Sequence, residues 1–209
     1  MNVTLTAKKE AIAAQGTTLH KIRFWLLTWE IYPIIFVAAF FRLYGLNTTA
    51  FGGDQSVLFT MAYDAVHRGL LPVTSNGASI FIWHQPAAIY FLMLPVFFSP
   101  DPLWAAIITA LFNVVAVLIT YIFTRRYFGR LAATIASLLF ATAETAIVFS
   151  RFIWQPTLLG PFVMLFFFAL FWGVVERRKG WLFPALFLLG VIYQLHEITI
   201  ILVIPLLLA

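Results

Sequence analysis

Long apolar runs alternate along the chain with short polar or basic segments. A helix of about 20 apolar residues crosses the hydrocarbon core of a bilayer, and five runs approach or reach that length. These runs cover residues 24–46, 103–124, 131–150, 157–175 and 181–199. The pattern therefore predicts an all-α fold, a polytopic transmembrane helical bundle that occupies residues 24–209.

Two further apolar runs are too short to cross a membrane unaided. Residues 86–98 have the length of an interfacial or re-entrant helix, although a span stays open as an alternative. The sequence ends inside the apolar run 198–209, so we expect the bundle to be truncated at its C-terminus.

Basic residues predict the orientation of the bundle. Residues 1–23 are polar and basic and lack a convincing signal peptide, so we expect a cytoplasmic tail followed by a retained anchor helix. If residues 86–98 do not span, the basic clusters at 125–130 and 177–179 also lie in the cytoplasm. If they do span, both clusters lie outside, against the positive-inside rule, so we prefer the first topology.

Composition supports the membrane assignment and excludes several functions. Hydrophobic residues make up 63% of the chain and charged residues 10%, against about 25% charged residues in soluble domains. The net charge of +5 comes from clusters between apolar runs, which argues against binding to nucleic acid. Without cysteine, disulfides and thiolate chemistry are excluded. Nucleotide-binding, zinc-protease and serine-hydrolase motifs are also absent from the sequence.

The preferred topology gathers polar side chains on the extracytoplasmic face. Residues 47–85 form an outer loop, in which apolar residues at helical spacing over 55–68 predict a short helix on the membrane surface. The polar residues expected on this face are Asp54, Gln55, Asp64, His67, Arg68, His84, Glu144, Arg151, Gln155, His196 and Glu197. Their convergence predicts that the functional site lies there.

Asp54 and Arg151 are the leading chemical candidates, and each also allows a structural interpretation. Asp54 follows Gly52 and Gly53, whose flexible backbone lets a carboxylate approach a ligand as a base or metal ligand; the alternative is a helix N-cap. The planar guanidinium of Arg151 suits bidentate binding of a lipid-linked phosphate. The alternative is a snorkelling anchor beside Trp154.

The remaining ionisable residues near this face are less specific. Glu144 is either a proton acceptor or, at the spacing i, i+7, a partner for Arg151. His196 and Glu197 are candidates to bind phosphate or sugar hydroxyls, or are satisfied interfacial residues. His84 is a further candidate, or caps the helix that follows it.

Three more ionisable residues favour structural roles. Asp64 and His67 lie three residues apart, which is typical of the solvated face of a surface helix. Glu30 lies inside the first apolar run, where a carboxylate requires a partner on another helix that the sequence does not identify.

Six short motifs follow one another in a recognisable order. They are Arg42-Leu43-Tyr44-Gly45-Leu46, Gly53-Asp54-Gln55, His84-Gln85-Pro86 with Tyr90, Arg125-Arg126-Tyr127-Phe128-Gly129, Ser150-Arg151-Phe152-Ile153-Trp154-Gln155-Pro156, and Gln194-Leu195-His196. Together they resemble the N-terminal part of bacterial GT-C glycosyltransferases of family 39, the branch related to protein O-mannosyltransferases and to the aminoarabinose transferase of lipid A. The resemblance covers nearly the whole chain from about Arg42 onward.

The resemblance implies a multi-pass enzyme in the plasma membrane of a bacterium, with its active site on the extracytoplasmic side. Such an enzyme takes a sugar from a polyprenyl-phosphate carrier and transfers it, with inversion at the anomeric carbon, to a lipid, glycan or protein acceptor. It implies Asp54 as the catalytic carboxylate and Arg151 as the residue that steadies the leaving phosphate. It also implies that Gln55, His84, Gln155, His196 and Glu197 contact substrates.

Two departures from the family pattern limit the comparison. Many relatives have Asp-Glu where this chain has Asp54-Gln55, and Asp or Asn where it has Gln155. The first departure removes a second carboxylate, so we expect no cofactor and find no support for a divalent metal. The alternative function is a transporter or flippase component for a lipid-linked substrate, and a third is a noncatalytic membrane subunit.

Overall fold

A computed structural model describes residues 28–77 and 83–208 of the chain, so the predicted cytoplasmic tail, 1–23, lies outside the described residues. The α-helices are α1 (Ile31–Leu43), α2 (Asp54–Arg68), α3 (Ala87–Phe98), α4 (Pro102–Phe128), α5 (Arg130–Thr142), α6 (Glu144–Ser150), α7 (Leu159–Val174), α8 (Leu182–Leu195) and α9 (Val203–Leu207). Short 3-10 helices cover Leu46–Thr48, Gln155–Leu158, Lys179–Trp181 and Glu197–Leu202. Since the described residues contain no strand beyond a single β-bridge, the predicted all-α bundle is confirmed.

Three segments are long and apolar enough to cross a membrane. They are Ile31–Thr48, Pro102–Phe128 and Gln155–Val174, and a fourth span arises if the bent pair α5 and α6 is counted as one. These segments confirm the spans predicted at 24–46 within the described residues, at 103–124 and at 157–175. Large apolar side chains on their surfaces stay exposed, as lipid contact requires; Phe36 is 70% exposed.

Two helices are shorter than a membrane span. Helix α3 has 12 residues and is therefore about 18 Å long, against a hydrocarbon core of about 30 Å, which supports the interfacial or re-entrant interpretation of 86–98. Helix α8 has 14 residues, between the 3-10 helices Lys179–Trp181 and Glu197–Leu202. The span predicted at 181–199 is thus a shorter apolar helix, because the α-helix ends at Leu195.

The predicted span 131–150 is broken at Ala143, where α5 and α6 meet at a bend of 58°. The guanidinium of Arg42, which is fully buried, replaces the helical donors that the break removes. Its Nη1 donates to the carbonyl of Ala141 at 3.0 Å, and its Nη2 donates to the carbonyl of Phe140 at 3.1 Å. These carbonyls would bond the two residues after Ala143 in a continuous helix, so α1 caps α5 from the side.

Helix α4 lies at the centre of the bundle. It packs against α1 and α5 through a core that includes Ile34, Val117 and Ala133, and it also contacts α3 and α7. A second core joins α7 and α8 through Phe166 and Ile192. Helices α1, α3, α5 and α7 thus take their positions from α4, and α8 takes its position from α7.

Glu30 has the interhelical partners that the sequence left unidentified. Its carboxylate accepts two hydrogen bonds from Arg130, at 2.7 and 2.9 Å, one from Arg125 at 3.2 Å and one from the Tyr121 hydroxyl at 2.8 Å. Only 7% of its side chain is exposed. One buried carboxylate therefore joins the start of α1 to the end of α4 and the start of α5.

The bundle has two chemically different ends. We call the end with Glu30 and Arg130 the basic end; there Arg126 also binds Glu176 through two hydrogen bonds of 2.7 and 2.8 Å. Helix α4 has 27 residues and is about 40 Å long, so its two ends are well separated. We call the opposite end, which carries Asp54, the site end.

Candidate functional site

Asp54 is the first residue of α2, and its carboxylate is exposed. The preceding N-cap is Gly53, whose φ of +54° lies in the region that favours glycine. Asp54 is therefore not the N-cap that the sequence allowed as an alternative, and its Oδ1 atom instead accepts a hydrogen bond of 3.1 Å from the amide of Asn76. Helix α2 itself begins one residue before the predicted helix 55–68.

Asn76 links Asp54 to the buried side chain of Gln155. The Asn76 Oδ1 atom accepts hydrogen bonds from Gln155 Nε2 and, at 3.0 Å, from the hydroxyl of Ser75. Gln155 is fully buried, and its Oε1 atom has no hydrogen-bond partner. The loop after α2 therefore ties the carboxylate to the 3-10 helix that begins at Gln155.

Gln55 connects two backbone segments of the site end. Its amide nitrogen donates to the carbonyl of Ala50 at 3.0 Å, and its amide oxygen accepts from the backbone nitrogen of Ile153 at 3.1 Å. Both polar groups of this side chain are thus bonded to the main chain. In this structure the predicted substrate-binding residue supports the walls of the site.

Arg151 binds the end of the first span. Its Nη2 atom donates to the carbonyl of Gly45 at 2.6 Å, while its Nε atom is buried without a hydrogen-bond partner. The predicted partnership with Glu144 is wrong, because Glu144 is exposed and the ion pairs of the described residues do not include this pair. Helix α6 ends at Ser150, and the chain then turns Arg151 towards α1.

Two cavities meet at Gln55. One, of about 290 Å³, contains Arg151 and also the side chains of Asn47 and Asp101. The other, of about 220 Å³, is lined by Asp54, Gln55, Phe149, Phe152 and Trp154. The carboxylate and the guanidinium, which the sequence placed in one site, therefore line adjoining cavities that share the Gln55 side chain.

His84, His196 and Glu197 form a second cluster at the site end. The Nδ1 atom of His84 and Oε2 of Glu197 are 2.9 Å apart, and the centres of the two imidazole rings are 5.1 Å apart. His84 does not cap α3, whose N-cap is Pro86. Burial raises the pKa of the Glu197 carboxyl, but the hydrogen bonds from His84 and from the backbone, together with the charges of the two histidines, outweigh this and hold the pKa below the usual range.

The two clusters are joined through the backbone of the loop. The Ser75 nitrogen donates to the His84 carbonyl at 2.8 Å, and the His84 nitrogen donates to the Asn76 carbonyl at 3.1 Å. Asn76 in turn holds Asp54. One short antiparallel pairing therefore connects His84 to the residue that binds Asp54.

Three predicted surface residues lie apart from both clusters. Asp64 forms an ion pair with Arg68 at 3.2 Å, and the Arg68 side chain is 65% exposed. His67 is exposed and packs on the Tyr63 ring, with 4.3 Å between ring centres. These contacts agree with a solvated helix face.

Sequence reasoning missed two residues that organise the site end. Asn76 lies in the predicted outer loop 47–85 and was not singled out, although it bonds both Asp54 and Gln155. Arg42 belongs to the first of the six motifs and had no assigned role. An arginine inside an apolar span itself indicates a polar partner on another helix, and Arg42 is fully buried.

No protein-family model matches this chain, and no curated protein or solved structure matches it either. The resemblance carried by the sequence motifs therefore stays an expectation, and the function has to be argued from the site.

Proposed function

We propose that this chain belongs to a membrane glycosyltransferase that moves a sugar from a polyprenyl-phosphate carrier to an extracytoplasmic acceptor. The observation that carries the proposal is the pair of adjoining cavities at the site end. One holds the Asp54 carboxylate among aromatic side chains, and the other holds the Arg151 guanidinium. A base and an anion-binding group side by side are what transfer from a phosphate leaving group requires.

Asp54 is suited to act as the general base. Its Oδ1 atom is bonded to Asn76, which fixes the carboxylate and leaves Oδ2 to face the acceptor. The acceptor hydroxyl gives its proton to Asp54 while its oxygen forms a bond to the anomeric carbon. The bond from that carbon to the phosphate oxygen breaks, and the electron pair leaves with polyprenyl phosphate.

Arg151 is suited to bind the phosphate. The contact with Gly45 uses Nη2, so the other terminal nitrogen, Nη1, remains to bind a phosphate oxygen. An arginine fixed at one nitrogen offers its remaining donors in a defined orientation, which stabilises negative charge as it develops on the leaving group.

The distribution of charge distinguishes this proposal from transport. A transporter for a charged lipid-linked substrate requires ionisable side chains along a path through the membrane. In the described parts of α1, α4 and α7, the charged side chains lie towards the helix ends, as Arg42 and Arg125 do. Chemistry at one surface fits this distribution better.

The test measures transfer of radiolabelled sugar from a polyprenyl-phosphate donor pool in membranes that contain the complete gene product. Asp54→Asn should lower the transfer rate by about 10²- to 10⁴-fold, the usual contribution of a general base. Asp64→Asn is the matched control, because Asp64 is on the same helix but pairs with exposed Arg68, and it should keep the wild-type rate.

Expression level and thermal stability of the two variants must match the wild type for the comparison to hold. Wild-type transfer by Asp54→Asn would remove the assigned base. Absence of transfer by the wild-type protein, together with movement of the lipid-linked sugar across the membrane, would favour the transporter instead.

A further inference from the structure

We propose that His84, His196 and Glu197 form a binding site for a divalent transition metal of the zinc type. The proposal does not rest on glycosyl transfer, and it concerns a cluster from which the sequence predicted only substrate contacts. Each residue offers one ligand atom, and these atoms all lie within 4.8 Å of one another.

Packing of the surrounding helices brings the three residues together. His84 precedes α3, whereas His196 and Glu197 directly follow α8, more than a hundred residues later in the chain. Ala88 of α3 and Leu195 of α8 are buried in the same small apolar core. Packing of α3 against α8 therefore brings His84 to the adjacent residues His196 and Glu197.

The distances suit a metal ion. Zinc binds nitrogen and oxygen at about 2.0–2.2 Å, so neighbouring ligand atoms of a tetrahedral site lie about 3.4 Å apart. His84 Nδ1 and Glu197 Oε2 are 2.9 Å apart, and the farthest pair in the cluster is within 4.8 Å. The observed separations are therefore close to the spacing of a tetrahedral site.

The charges also favour a cation. Only 11% of the His84 side chain and 20% of the Glu197 side chain are exposed. The ion pairs found in the described residues give Glu197 no lysine or arginine partner, so its negative charge faces the two imidazoles. Two neutral imidazoles and one carboxylate are a typical three-ligand zinc set, which leaves a fourth position open.

Backbone hydrogen bonds hold the metal-binding residues in place. The His84 backbone pairs with Ser75 and Asn76 in the loop. The His196 carbonyl accepts from the Thr199 hydroxyl at 2.6 Å and from the Thr199 nitrogen at 3.2 Å. The loop that contains Asn76 binds Asp54. A bound metal would consequently link this loop to the end of α8.

The test uses the 209-residue chain in detergent, with an affinity tag that contains no histidine, after removal of metals with a chelator. Zinc ion alone is titrated by calorimetry. The wild type should bind one zinc per chain and gain thermal stability, since the ion binds only the folded state. Cobalt in place of zinc should give the intense visible bands of a four-coordinate ion.

Two variants and one control make the test specific. His196→Ala and the near-isosteric Glu197→Gln should each weaken zinc binding by at least about 10-fold. Substitution of residues that only hydrogen-bond to metal ligands already lowers metal affinity by this factor. His67→Ala removes an exposed histidine outside the cluster and should bind zinc like the wild type. Gel filtration and helical circular dichroism should be unchanged in all three variants.

The proposal is overturned if the wild type shows no saturable binding at one zinc per chain. It is equally overturned if folded His196→Ala or Glu197→Gln binds zinc as tightly as the wild type.

Discussion

Replacing Glu30 by glutamine should destabilise the bundle substantially. The carboxylate accepts from Arg130, Arg125 and Tyr121, and it joins the start of α1 to the end of α4 and the start of α5. Glutamine keeps the shape and one acceptor, but it removes the negative charge and turns an N–H₂ group towards cationic donors. The substitution therefore isolates the electrostatic part of the junction.

The magnitude follows from how exposed each partner is. The Arg130 side chain is 57% exposed, and pairs of this kind contribute at most about 1 kcal/mol. The Arg125 side chain is 9% exposed, so its charge stays buried after the carboxylate is gone. Removal of one partner of a buried pair costs about 3–5 kcal/mol. Because glutamine retains an acceptor and Arg125 has a further interaction, we expect about 2–3 kcal/mol for Glu30→Gln.

The assay is equilibrium unfolding in mixed micelles with increasing SDS, followed by tryptophan fluorescence and circular dichroism. Glu144→Gln is the control, because Glu144 is an exposed carboxylate in the first turn of α6; it should change the free energy of unfolding by less than about 0.5 kcal/mol. A Glu30→Gln variant as stable as this control would refute the argument that the junction depends on charge.

Three further expectations concern other contacts. Asn76→Ala should lower the sugar-transfer rate by about 10-fold without loss of folding, because Asp54 loses the amide that orients it; an unchanged kcat would contradict this. Arg42→Met should lower the free energy of unfolding in SDS by about 1–3 kcal/mol, because carbonyls at the end of α5 lose their donors; wild-type stability would argue against the cap. The hydrogen bonds from Arg126 hold the pKa of Glu176 below its usual value of 4.5, so this pair should stabilise the fold at neutral pH. Its contribution should disappear as the pH falls below 4.5 and through the lowered pKa, and Glu176→Gln should remove that part of the acid dependence of the melting temperature.

The helical framework was predictable because lipid imposes a simple rule on sequence. A span must be apolar over about 20 residues, and α4 at Pro102–Phe128 closely matches the run predicted at 103–124. Helix α2 was also predictable, since its buried positions recur at helical spacing from Leu58 to Ala65. Local pattern therefore determines which segments are helical.

The broken span at Ala143 was beyond local pattern. Alanine is the best helix former, so the sequence around it favours one continuous helix. The break is stabilised by Arg42, a residue about a hundred positions away that bonds to carbonyl groups of the main chain. Contacts to the main chain leave no signature in the sequence of the segment that receives them.

The internal arrangement of the site end was likewise not predictable from the sequence. The sequence placed its polar residues on one face but could not separate the Asp54 cavity from the Arg151 cavity. That division depends on where the Gln55 side chain is anchored, at Ala50 and Ile153. Such anchoring depends on how the loop folds back against the chain after α6, and periodicity contains no information about it.

Gln55 would also contact any molecule that extends into both cavities. Gln55 lines both cavities, and both polar atoms of its side-chain amide are bonded to the main chain, at Ala50 and Ile153. Under the proposed function, a donor with its phosphate at Arg151 and its anomeric carbon at Asp54 would contact this side chain. The two hydrogen bonds of Gln55 therefore fix the position of the one residue that both cavities share.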